Sequence, residues 1–168
     1  HAPSHPQAAQ DLMLAGITPD SRHNNCSGKH TGFVAMARHL DADVSGYISP
    51  SHPVMNRLVT PAVEDFCRIG LSAQTPGVDG CGAPVWSIPL SHLAGGWSQL
   101  RSRGSGKRLL QAMVEEPFLV AGTDRACTRL MESAEGDAAV KTGAEGVFCG
   151  GDLRAGFAFA LKARDGQA

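Results

Sequence analysis

The chain has 168 residues, with 42% hydrophobic and 18% charged side chains and a formal net charge of −1. That length supports a real core, and the composition is that of a globular protein rather than a disordered one. A near-neutral charge leaves no polycationic surface for nucleic acid or an anionic membrane, and no apolar run reaches the roughly 18 residues that a membrane helix needs.

In chain order, Pro6 to Ala15 has helical spacing, and Gly16 is placed to end it. Pro19-Asp20 has turn chemistry. Residues 23–30, His-Asn-Asn-Cys-Ser-Gly-Lys-His, form a polar run without periodicity, followed by a predicted helix from Thr31 to Leu40. The polar run therefore lies at or just inside a helix N-terminus, where free N–H groups point outward. A helix from Pro53 to Ile69, closed by Gly70, comes next. Residues 76–85 hold three glycines and two prolines and predict a tight, irregular backbone, with a short strand from Val85 to Pro89.

Ser91 to Arg101 reads as a helix capped by Ser91. Arg101, Arg103, Lys107 and Arg108 then fall in a Gly/Ser loop read as solvated. A helix from Lys107 to Glu115 is broken at Glu116-Pro117, and another from Thr123 to Ser133 is capped by Thr123. Strands are expected at Ala138–Thr142, Val147–Cys149 and Gly156–Ala163, the last leading into an Asp165-Gly166 hairpin signal. Helices followed by strands predict an α+β fold with antiparallel strands.

The five cysteines are odd in number and irregularly spaced, which favours reduced thiols over a disulfide framework. Cys67 and Cys127 sit in helical stretches and are expected in the core. Cys26 and Lys29 are one helical turn apart, so the amine can lower the thiol pKa or take its proton. With Cys81 they offer two thiolates and a nitrogen, a set that suits zinc. The plain alternative is an inert Cys26 beside a surface Lys29. Asp79, two residues before Cys81, is either a binding carboxylate or an Asx-turn residue. Lys141-Thr142-Gly143 ends a predicted strand and is similar to the Lys-Thr-Gly strand of serine β-lactamases and penicillin-binding proteins. The partner Ser-x-x-Lys occurs nowhere in the 168 residues.

Three blocks in this order resemble the L-asparaginase II family, the thermolabile, Rhizobium-type asparaginases. They are His23 to Gly32, Val78 to Pro84, and Lys141 to Val147. The resemblance covers nearly the whole chain. It implies part of a fold like that of serine β-lactamases and glutaminases, and hydrolysis of L-asparagine to L-aspartate and ammonia through an acyl-enzyme. It also implies a homodimer, while the reduced thiols are those of a cytoplasmic protein. By resemblance, Cys26, Lys29 and Cys81 are zinc ligands, Asp79 and His30 are substrate-binding, and Lys141 is catalytic. Residues 1–168 are then expected to be a single partial asparaginase domain, lacking an N-terminal segment with the catalytic serines and a short C-terminal end. On that expectation the chain is inactive alone. The alternatives are a zinc-binding module without turnover, or an amidohydrolase with Cys26 as nucleophile.

Overall fold

Pro6 takes the first helical position, where its missing N–H costs nothing, and Gly16 adopts φ +65° just past the last turn; between them runs α1 (Pro6–Leu14). The computed structural model describes residues 2–167. Its fold is α+β: among the described residues there are seven α-helices and five short strands, and every strand pair is antiparallel. The helices are short, and none is long and apolar enough to cross a membrane.

The chain forms two compact units. The first contains the residues up to Thr60 together with Thr75–Trp86. Its centre is α2 (Ser27–His39), which begins four residues earlier than the periodicity predicts. Ser27-Gly28-Lys29-His30 is therefore the first turn of that helix. Phe33 and Ala37, one turn apart, bury themselves against Val54, Met55 and Ala83. Ala83 comes from a small hairpin, β1 (Gly77–Val78) with β2 (Pro84–Val85), so the glycine-rich stretch is an ordered turn, and of the strand expected at Val85–Pro89 only Val85 is in a strand.

The helix expected from Pro53 to Ile69 is two pieces: a wide π-turn over Val54–Val59, then α3 (Thr60–Cys67). Pro61 has no N–H to donate, so the regular ladder is interrupted just before it. Gly70 does not close this helix. Arg68 takes the left-handed conformation at φ +51°, and the Glu64 side chain accepts the Leu71 N–H at 2.7 Å.

The second unit contains Pro61–Gln74 and the residues from Ser87 onward. It holds a three-stranded sheet in the order β3 (Ala138–Thr142), β4 (Val147–Asp152), β5 (Ala158–Lys162). The register pairs Val140 with Gly150 and Gly150 with Phe159, so these share one face, and Lys141, Cys149 and Ala160 share the other. Val140, Phe148 and Phe159 pack with Cys127 and Met131 of α7 (Ala126–Ser133). On the other side α4 (Leu90–Ser102) packs against β4 and β5. Gly150 is buried, and a Cβ there would lie 2.6 Å from the Ala139 carbonyl, which explains a glycine in mid-strand.

Several expected boundaries in this unit move. The Gly/Ser segment is no solvated loop: α5 (Gly104–Glu115) starts within it, and Gly106 lies against the Leu100 backbone where no side chain fits. Arg101 donates to the Leu153 carbonyl, while Arg103 pairs with Asp65 and stacks over Phe66 at 4.6 Å. These two cations brace the unit. Ser91 and Thr123 cap nothing: α4 starts after Pro89, and α7 starts after Arg125. Pro117 opens an unexpected five-residue helix, α6 (Pro117–Ala121), instead of only ending its predecessor.

Met55 is fully buried in the first core and Met13 is 79% exposed. Truncating Met55→Ala should cost about 2–5 kcal/mol in urea unfolding, whereas Met13→Ala should stay within about 0.5 kcal/mol of the parent.

Candidate active site

Two backbone devices in the first unit point functional side chains at one another. At the start of α2, the Asn24 side chain accepts the Cys26 N–H at 2.8 Å, an Asx turn that swings the chain into the helix. Cys26 is the cap residue, its carbonyl accepts the His30 N–H at 3.0 Å, and Lys29 stands one turn along from it. In the hairpin, the Asp79 N–H donates to the Ala83 carbonyl and Gly82 returns a bond to the Asp79 carbonyl at 2.8 Å. Gly82 has φ +86°, a conformation that side chains resist, and a Cβ there would press on Ile48 at 3.0 Å. One Asp79 oxygen accepts the Gly80 N–H at 2.8 Å, leaving the other directed along Cys81.

The result is a cluster of four side chains. The Lys29 ammonium donates to the Cys81 sulfur at 3.3 Å and lies 3.7 Å from the Asp79 carboxylate. The Cys81 thiol donates to the same carboxylate at 3.5 Å, and the Cys26 thiol lies near enough to feel Cys81, Lys29 and Asp79. Thus Cys26, Lys29, Asp79 and Cys81 come together in the first unit. The Asp79 side chain accepts from the next residue, Gly80, with one oxygen and reaches the cluster with the other.

Burial raises the Cys26 thiol above its ordinary pKa; Lys29 pulls it down, but Cys81 and Asp79 push the same way as burial. For Lys29, burial works against the charged amine. The bond to Cys81 and the fields of Cys26, Cys81 and Asp79 outweigh it and hold the ammonium above its usual range. Before any metal arrives, then, thiol and amine both keep their protons.

Among the described residues, no three His, Cys, Asp or Glu side chains converge as a metal-ligand group. A metal at this cluster would need Lys29 as a donor beside the two sulfurs. Two soft thiolates, one nitrogen and an adjacent carboxylate are a donor set of the kind zinc accepts, so the residues fit a zinc ion.

His30 follows Lys29 on α2 and faces a different neighbour, with Nδ1 2.7 Å from the Tyr47 hydroxyl. Burial, then the nearby Lys29 charge, lowers its pKa, against a smaller opposite pull from Asp79. Both rings line a cavity of about 780 Å³, along with Asn24, Ser27 and Cys81. At its edge Asp20 and Arg22 form a bidentate pair, which holds the Asp20 carboxyl far below its usual range. Tyr47 is the one tyrosine in the sequence, and that isolation was the available signal for it.

Lys141 belongs to the second unit. It is exposed on β3, and its ammonium donates to the Thr142 carbonyl at 2.7 Å. Thr142 donates its N–H to the Cys127 sulfur at 3.1 Å, so a fully buried thiol fixes the end of the strand that carries Lys141.

The L-asparaginase II family model matches residues 1–168. The chain belongs to the L-asparaginase II family. The match spans both units, so the thiol–amine cluster and the Lys141 strand both fall within L-asparaginase II sequence. A comparison with curated proteins finds no match.

Cys26 and Cys81 are partly exposed, whereas Cys67, Cys127 and Cys149 are buried. Iodoacetamide at about pH 8 on EDTA-treated protein should therefore modify Cys26 and Cys81 first, with the other three reacting only on unfolding. Because its thiol is pushed up, Cys26 should alkylate several-fold more slowly than free cysteine, read by peptide mass mapping.

Proposed function

We propose that the chain serves the hydrolysis of L-asparagine: water adds across the side-chain amide, the C–N bond breaks, and L-aspartate and ammonia leave. Membership of the L-asparaginase II family supports the reaction class. The observation that carries the site is the convergence of Cys26, Lys29, Asp79 and Cys81, of which Cys81 lines an open cavity.

The residues divide the work by their chemistry. The Asp79 carboxylate complements the substrate's α-ammonium group. Cys26, Lys29 and Cys81 would hold zinc, which when bound would supply a fixed positive charge for the substrate's polar end. To ligate it, both thiols and the Lys29 amine would have to give up their protons. Lys141 moves a proton during formation and breakdown of the acyl-enzyme. The nucleophile would be the family's serine in its Ser-x-x-Lys, a motif these 168 residues do not contain. In the family's usual state the protein is a cytoplasmic homodimer.

Cys26 is a poor alternative nucleophile. Its thiol is held protonated, and the amine beside it is held protonated too, so Lys29 cannot accept the proton. His30 is engaged with Tyr47.

Zinc titration followed by calorimetry with L-aspartate tests this reading. About one zinc per chain should bind, and Cys81→Ser or Cys26→Ser should lower zinc content and L-aspartate affinity together. Unchanged L-aspartate affinity in Cys26→Ser would remove the metal from substrate orientation. In protein that turns over, Lys141→Met should reduce kcat roughly 100-fold or more with KM nearly unchanged, and a rise in KM alone would make Lys141 a binding residue instead.

A further inference from the structure

Asp-Gly occurs twice in the chain, at Asp79-Gly80 and at Asp165-Gly166. Such a pair carries a latent reaction of its own. The glycine nitrogen can attack the side-chain carboxyl carbon, because no Cβ on the glycine stands in the way. The two pairs are arranged differently. At Asp79 the carboxylate accepts the N–H of Gly80 itself at 2.8 Å, so the nitrogen that must attack already touches the carboxyl group. At Asp165 the carboxylate accepts instead from Gln167, one residue further on, at 3.0 Å. A contact held in place in this way replaces a search among conformations.

The surroundings favour Asp79 as well. Gly80 is exposed, and a Cβ built on it would meet nothing within 4 Å, so no neighbour crowds the nitrogen as it moves onto the carbon. Gly166 is closer to its neighbours: a Cβ there would lie 3.3 Å from Oε2 of Glu145. The hairpin fixes the Asp79 backbone on both sides, its N–H donating to the Ala83 carbonyl at 2.9 Å and its carbonyl accepting from Gly82 at 2.8 Å. The carboxylate is fixed at its far oxygen too, where the Cys81 thiol donates at 3.5 Å and the Lys29 ammonium lies 3.7 Å away.

We propose that Asp79-Gly80 is a site of spontaneous modification, at which Asp79 converts to isoaspartate. The Gly80 nitrogen bonds to the Asp79 side-chain carbon, and the bond from that carbon to its far oxygen breaks. That oxygen leaves as water, taking the Gly80 amide proton and one further proton, and a cyclic imide remains. Water then adds to one of the two imide carbonyls. Opening at the side-chain carbonyl restores aspartate; opening at the main-chain carbonyl routes the chain through the side-chain carbon. The water lost is regained, and no oxidant or metal enters. In the product the backbone is one methylene longer, and the free carboxylate hangs from the Asp79 α-carbon. Gly82 then loses the carbonyl that closes its turn, and Lys29 and Cys81 lose the carboxylate from its place. The modification stands apart from the functional reading above; that it removes the partner of the substrate's ammonium group rests on that reading.

Peptide mapping with electron-transfer fragmentation, which separates isoaspartate from aspartate at each position, tests this on the full chain kept for weeks at neutral pH. The folded protein is compared with the same chain in denaturing urea. Folded protein should accumulate isoaspartate at position 79 severalfold faster than at position 165. In urea, where neither contact exists, the two positions should react at similar rates. Gly80→Ala should slow position 79 and leave position 165 unchanged. Folded protein in which position 79 reacts no faster than position 165 overturns the proposal, and so does a difference between them that is as large in urea. L-Aspartate affinity, measured on the same samples, should fall in proportion to the modified fraction. Protein that forms isoaspartate at position 79 but binds no L-aspartate even before incubation overturns the functional reading alone.

Discussion

The bond from Lys29 to Cys81 joins residues 52 positions apart, and the site depends on it. An amine and a thiol meet there only because two local backbone constraints hold at once. One is the Asx turn of Asn24, which starts α2 early enough for Lys29 to stand a full turn beyond Cys26. The other is the Gly82 turn, which folds the hairpin so that Asp79 and Cys81 point the same way. Neither constraint involves the reacting groups. Each belongs to the backbone and would be met by the same residues whatever the chemistry.

The core of the first unit then supports the two devices. Phe33 and Ala37 anchor α2, Ala83 anchors the hairpin, and all three pack with Val54 and Met55. The hydrophobic contacts that stabilise the unit are thus the same contacts that keep thiol and amine in register. Asp79 divides its oxygens between the turn and the cluster, so removal of its carboxylate would loosen the geometry and the electrostatics together. In the second unit Lys141 depends on a comparable device: the buried Cys127 sulfur takes the Thr142 N–H and fixes the strand end.

Much of this was legible in the sequence, and the reason differs from element to element. Cys26 and Lys29 are close in the chain, so helical spacing alone places them on one side of a turn. Cys81 joins them only through the fold, and its inclusion came from thiol chemistry and the family resemblance, not from spacing. The strand Ala138–Thr142 was readable as a short run bounded by the glycine-containing stretch Gly143–Gly146. The Gly/Ser segment misled, because glycine and serine signal a loop locally, while Gly106 is present for close approach to the Leu100 backbone. The split near Pro61 and the left-handed Arg68 were missed for the opposite reason: apolar periodicity ran smoothly across both. The His30–Tyr47 contact links a helix to a loop residue without any pattern, and only three-dimensional packing reveals it.

X-ray absorption spectroscopy at the zinc edge, on protein loaded with one equivalent, tests the central claim most directly. The account predicts two sulfur neighbours at about 2.3 Å with nitrogen or oxygen neighbours at about 2.0–2.1 Å, and loss of one sulfur in Cys81→Ser. A shell of nitrogen and oxygen alone, or protein that takes up no zinc, would contradict it.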